Sequence, residues 1–261
     1  MNSEFSEFTY GFLLCNEIIN KQRRKNIISS IPTFPSLLQE AKVGYDVKIP
    51  TRGLPLFLQF KLAQYLNYKS RAKCKTAYTQ NFFRVTVYRR RVSPQHNLLW
   101  ELAKKQPQVF YAAPAFHLVT DFKRFFLRED IRSNSVFVPL RRLNEIKDDD
   151  EHYVTYVNNK LMSFRWWSED GIEIEYPIGG RDWLIYIQEQ LKDPQNLGLN
   201  YLLDLRDTLV NILGKNRLDY ELHEGTFPFL QNNDQLSVAR DVHYILNVYF
   251  GVTLILLPSD D

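Results

Sequence analysis

Cysteine is scarce in this sequence: only Cys15 and Cys74 occur in 261 residues, and neither has a neighbouring Cys or His to complete a zinc site. That excludes a disulfide-stapled scaffold and a structural zinc domain, and it fits a reducing cytoplasm. Cys15 reads as a small core residue on a helix stripe. No run of about 18 apolar residues, the length that crosses a bilayer, is present. The first residues, MNSEFSEFTY, carry acids where a secretory leader carries bases, so the expectation is a cytoplasmic, unexported protein with no membrane partner. The 10 glycines form no P-loop, dinucleotide turn or nucleophile elbow. No internal repeat is visible.

What is present is apolar and unevenly charged. An apolar content of 44% supports a sizeable core. The net charge of +3 conceals an asymmetry: residues 21–105 hold 18 Lys and Arg against 3 Asp and Glu, whereas the chain from Glu151 onward is acidic. A basic region of that size is the footprint of a polyanion partner, here nucleic acid. The acidic half offers a surface for a protein partner, and a homo-oligomer is compatible with the sequence.

The stretch GYDVKIPTRGLPLFLQFK, residues 44–61, organises the rest. Tyr45, Val47 and Ile49 alternate with Asp46 and Lys48; Leu56, Leu58 and Phe60 alternate with Phe57, Gln59 and Lys61. The pattern predicts a β-hairpin with Gln59 and Lys61 on one face and the leucines on the other, in a core. With an even loop, such as residues 51–54, Asp46 sits directly across from Gln59; an odd loop without a bulge turns it to the wrong face. A carboxylate, an amide oxygen and a lysine at one place suit a Mg²⁺ ion, or Mn²⁺ in its stead, beside a water or phosphate.

Asp46 followed by Gln59-Phe60-Lys61 resembles the Asp…(Glu/Gln)-x-Lys signature of the PD-(D/E)xK, or restriction-endonuclease-like, nucleases, in a Gln variant similar to that of Mrr-type enzymes. Two positions depart from the pattern: Tyr45 stands where the family has Pro, and Gln59 where it has Glu, which removes a negative charge from the metal site. The resemblance implies an α/β (α+β) fold, a mixed sheet flanked by helices. It also implies an Mg²⁺-dependent endonuclease acting in bacterial defence or restriction. Asp46 and Gln59 would hold the metal, and Lys61 would act on the attacking water or the phosphate. Glu17, on the first helix, and Glu40 are alternative further acids. Gln95 and His96, in the helix after the Lys strand, are accessory candidates.

Elsewhere, Phe8, Phe12, Cys15 and Ile19 form a helix stripe within residues 6–21, placing Glu17 on the solvent side. Residues 65–81 read as a basic, tyrosine-rich loop in which Arg71, Lys73 and Lys75 suit phosphate contacts. Residues 82–88 predict a strand running into Arg89-Arg90-Arg91, a second phosphate-binding candidate. Ser93-Pro94 opens a helix to Lys105, with Ser93 as N-cap and Leu98, Leu99 and Leu102 inward. Residues 109–113 predict a buried parallel strand. His117 and Asp121 have ligand spacing without a third ligand and read as structural. The acidic run at 147–151 is taken as the end of a nuclease core spanning 1–146, followed over 151–261 by a β-hairpin and a helical region. The alternatives are a catalytically silent nucleic-acid-binding or adaptor module on the same fold, and a scaffold that binds protein through its acidic half.

Overall fold

The computed structural model describes residues 1–24, 52–69, 78–157, 164–167, 172–173, 178–216 and 233–259. Helix α1 (Glu7–Arg24) precedes strands β1 (Arg52–Phe60), β2 (Gln64–Leu66) and β3 (Phe82–Val87). Then come α2 (Gln95–Lys105), β4 (Val109–Pro114), α3 (Val119–Leu127) and β5 (Ser135–Pro139). Strands β6 (His152–Tyr156), β7 (Phe164–Trp167), β8 (Ile172–Glu173) and β9 (Ile178–Gly179) lead to α4 (Gly180–Gln190). Strand β10 (Gln195–Asn196), α5 (Leu199–Lys215), α6 (Gln235–Ile245) with a π-helical turn to Phe250, and β11 (Thr253–Pro258) complete the order. The fold is mixed α and β, with helices on a mixed sheet. No helix among the described residues is long and apolar enough to cross a membrane.

Strand β1 is the axis of the first sheet. It is buried from Gly53 to Gln59. It runs parallel to β4, with Phe57 beside Val109 and Gln59 beside Tyr111, and antiparallel to β11, with Leu54 beside Leu257 and Leu58 beside Thr253. Proline in so central a strand is tolerated because of where its missing N–H would point. The Phe57 amide bonds the Gln108 carbonyl on the β4 side, so position 55 faces the same edge, where β4 has not yet begun. Strands β5 and β9 extend the sheet beyond β4, and β10 caps the start of β1. A second, antiparallel sheet runs β2-β3-β6-β7-β8.

Alternation sorts β1 between two cores. Leu54, Leu56 and Leu58 pack with Tyr10, Leu14 and Ile18 of α1 and Trp183 of α4. On the other face, Phe57 packs with Val109 and Tyr111, helices α2, α5 and α6, and the second sheet. Gln59 and Lys61 share the parity of Phe57.

Several expectations are corrected. The antiparallel neighbour of β1 over Gly53–Leu58 is β11, with β4 on the other side of Phe57–Phe60; the expected hairpin partner, residues 45–49, lies outside the described residues. The boundary at the acidic run 147–151 is crossed by the sheet, since β9, β10 and β11 join strands of the first half. Helix α1 buries a different stripe. Tyr10, Leu14 and Ile18 are fully buried, while Phe8 is 82% and Phe12 63% exposed. The helix carries apolar residues on two faces, and periodicity alone does not choose between them. Helix α2 begins at Gln95, with Pro94 rather than Ser93 at its N-cap; Leu98, Leu99 and Leu102 are buried as expected. Strand β4 is buried throughout and parallel to β1, also as expected.

Candidate active site

Gln59 lies near the carboxyl end of β1 and is only 3% exposed. Its Nε2 donates to Gln95 Oε1 at 3.2 Å and to the Phe250 carbonyl at 3.3 Å. Three remote segments therefore converge on one amide: the central strand, the first turn of α2 and the end of the π-helical turn. Gly251 makes the convergence possible. It sits at φ +62°, and a Cβ there would stand 2.6 Å from Gln95 Nε2. Gln59 Oε1 is buried and accepts no hydrogen bond from the described residues. An unsatisfied buried amide oxygen costs about 1–3 kcal/mol, so it marks a place where a further partner is favoured.

Lys61 follows on the same face, its amide bonded to the Ala112 carbonyl so that the ladder runs past the end of β1. It is half-buried rather than on a wet face. Its Nζ lies 5.9 Å from the centre of the Tyr111 ring. Burial pulls its pKa below the ordinary lysine value, and the carboxylate of Glu7 pulls it partly back. Glu7 stands in the first turn of α1. Nothing in the sequence singles it out, because an acid in a first turn reads as a dipole partner.

His96 supports the site without facing it. Its Nδ1 is 2.8 Å from Tyr111 Oη and its Nε2 2.8 Å from the Asn144 carbonyl. A carbonyl only accepts, so Nε2 carries the proton and Tyr111 donates to Nδ1. Burial drives the His96 pKa down to about 4, against the pull of the Asn144 carbonyl. The ring is thus neutral at pH 7. It stacks on Trp166 at 5.2 Å, and His152 stacks on that indole at 5.3 Å. Lys61, Tyr111, His96 and Asn144 form one chain of contacts from the strand end into the core.

The remaining candidates divide. Asp46, Glu40, Arg71, Lys73 and Lys75 lie outside the described residues. Gln95 joins Gln59 as described. Glu17 is not a solvent-side acid: it is 6% exposed, accepts the Arg132 amide at 3.2 Å and lies 3.9 Å from Arg132 Nε. It belongs to the α1 side of the sheet, opposite the face of Gln59. Arg90 and Arg91 are exposed beyond β3, with Arg89 half-buried, and Arg91 lies 3.8 Å from Asp149. Exposed guanidinium groups with one loose ion pair remain accessible to phosphates.

Among the described residues no three His, Cys, Asp or Glu side chains stand together as a metal site. Gln59 Oε1 is a single neutral donor, and the chain entering β11 beside it offers Gly251, Val252 and Thr253 rather than a carboxylate. These residues alone do not fit a divalent cation, which takes charged oxygen ligands. No family model, curated protein or solved structure matches the chain.

Proposed function

We propose that the chain is a restriction-endonuclease-like nuclease that hydrolyses DNA phosphodiesters in the presence of Mg²⁺ or Mn²⁺, in the cytoplasm and in a defence role. The observation that carries the reading is the pairing of Gln59 and Lys61 on one face at the carboxyl end of β1, with Gln95 bonded to Gln59 and Gln59 Oε1 left open. Ligands of α/β sheets gather outside the carboxyl ends of parallel strands, and β1 and β4 are such a pair. A desolvated lysine there favours negative charge growing on a phosphate oxygen, since a cation acts more strongly where water is excluded. The carboxylates that a metal requires are, on the sequence resemblance, Asp46 with Glu40 as a further acid, both outside the described residues.

Purified protein incubated with plasmid DNA should nick or cut it with Mg²⁺ or Mn²⁺, and EDTA should stop the reaction. Plasmid left intact with both metals overturns the reading.

A second reading, a nucleic-acid-binding module without catalysis, is favoured by one observation: both ladder edges of Phe57 and Leu58 are occupied by β11 and β4, and not by the hairpin from which the metal site is read. It predicts DNA binding that is indifferent to divalent metal.

A further inference from the structure

A concavity opens beyond the carboxyl ends of β1 and β4. It has a volume of about 630 Å³, and its wall includes Tyr65, Tyr68, Gln80, His117 and Arg124. Tyr65 follows Lys61 by four residues, so their Cα atoms are at most about 14 Å apart. The walls are aromatic and already ordered. Tyr65 stacks on His117 at 4.5 Å and 12°. Asn81 holds both tyrosines: its Nδ2 donates to Tyr65 Oη at 2.9 Å, and its Oδ1 accepts the Tyr68 amide at 3.4 Å. Tyr68 itself is 37% exposed, with the Lys69 ammonium over its ring at 5.6 Å, so a visitor stacks on the ring face that Lys69 leaves open or displaces that side chain.

The polar groups argue against an anion as that visitor. The start of α3, where an anion would dock, is already taken by Glu4, whose Oε2 accepts the Val119 amide at 2.9 Å. Arg124 is committed to Asp121 at 2.7 Å, and Asp121 also lines the cleft. Burial keeps the His117 pKa below its ordinary value, which disfavours the charged form of the stacked imidazole. The cleft therefore offers planar faces, the amide of Gln80 and no uncommitted cation from Arg124, which matches a flat heterocycle with hydrogen-bonding edges.

We infer that this cleft takes an unpaired nucleobase of the strand that passes Lys61, stacking it on Tyr68. The inference rests on the nuclease reading and specifies its substrate: a single-stranded or locally opened segment rather than intact duplex. Base stacking on an aromatic side chain contributes on the order of tenfold in affinity.

The test is fluorescence anisotropy in EDTA, with labelled oligodeoxythymidine and a labelled duplex of equal length. Tyr68→Ala should weaken single-strand binding about tenfold and leave duplex binding unchanged. Tyr68→Phe should restore it, since the ring is what matters. Thr79→Trp, at an exposed cleft position, should mimic Tyr68→Ala by filling the space. Melting temperatures check that each variant is folded. Unchanged single-strand binding in Tyr68→Ala and Thr79→Trp, equal losses for both substrates, or no binding by the wild type overturns the inference. Loss of the Tyr68 effect with Lys61-dependent cleavage intact rejects the cleft alone. Tyr68-dependent binding without any cleavage rejects the nuclease reading alone.

Discussion

Gln59 on β1 and Gln95 on α2 are joined amide to amide at 3.2 Å, leaving the oxygen of Gln59 buried with no partner among the described residues. Replacing that amide by a carboxylate isolates what the open oxygen is for. Gln59→Glu should destabilise the metal-free protein by roughly 2 kcal/mol or more, because a charge is buried where a neutral group stood. If a cation belongs beside it, millimolar Mg²⁺ should raise the melting temperature of the variant well beyond its effect on wild type. Equal responses to Mg²⁺ would argue that no cation binds at this oxygen.

Lys61→Ala and Asp46→Ala should each abolish cleavage while leaving DNA binding intact. Losing a cation where negative charge grows costs roughly two to three powers of ten in rate. Stability should change by less than about 1 kcal/mol in Lys61→Ala, because the ammonium it removes is disfavoured by its own burial. Rates equal to wild type in Lys61→Ala would place the chemistry elsewhere.

Arginine substitution reports on the basic face. Arg90→Ala with Arg91→Ala should weaken DNA binding and reduce the slope of log K against log salt by about 0.9 for each phosphate that the variant no longer neutralises. Titrations at several salt concentrations give the slope; an unchanged slope removes this turn from the interface.

His96 makes the fold acid-sensitive in a defined window. Its pKa is about 4 in the folded protein and 6.5 in the ordinary state, so the unfolded chain takes up the proton first as pH falls. The stability it protects is complete above pH 6.5 and is lost progressively down to about pH 4, by roughly 3 kcal/mol. Thermal unfolding of wild type and His96→Gln across that range should show the extra acid slope only in wild type.

The buried pair Arg206–Asp241, 3.2 Å apart, ties α5 to α6 and through it to the Phe250 carbonyl and Gly251. Arg206→Ala leaves Asp241 buried without its main counter-charge and should cost about 3–5 kcal/mol. Gly251→Ala should be milder in stability, about 1–2 kcal/mol for the left-handed backbone. It also drives a methyl toward Gln95 and should therefore impair cleavage more than its stability cost explains. Comparing chemical denaturation with activity for the two variants separates these effects.

Local pattern is enough to find Gln59 and Lys61 and their shared face, because side-chain parity in a strand is a property of adjacent residues. The same holds for β4 and for the leucines of α2. What escapes local pattern is long-range. Nothing in the alternation of residues 44–61 says that the antiparallel neighbour of β1 is β11 rather than residues 45–49. The Phe250 carbonyl is invisible for a similar reason: a backbone oxygen has no sequence signature. Helix α1 misleads because aromatic residues at Phe8 and Phe12 outweigh Tyr10 and Leu14 in any hydrophobic count, although they are the exposed ones.

The pairing of Leu58 with Thr253 joins two strands far apart in the sequence, and it sets the order in which the sheet can be completed. A nascent chain that has already emerged with β1 and β4 still presents one bare, leucine-rich edge until the last described strand leaves the ribosome. Closing so long a loop is slow relative to local hairpins, and an apolar strand with an open edge is what chaperones hold and what aggregates recruit. The strand bearing Gln59 and Lys61 therefore gains its antiparallel neighbour only after residues 253–258 have been made.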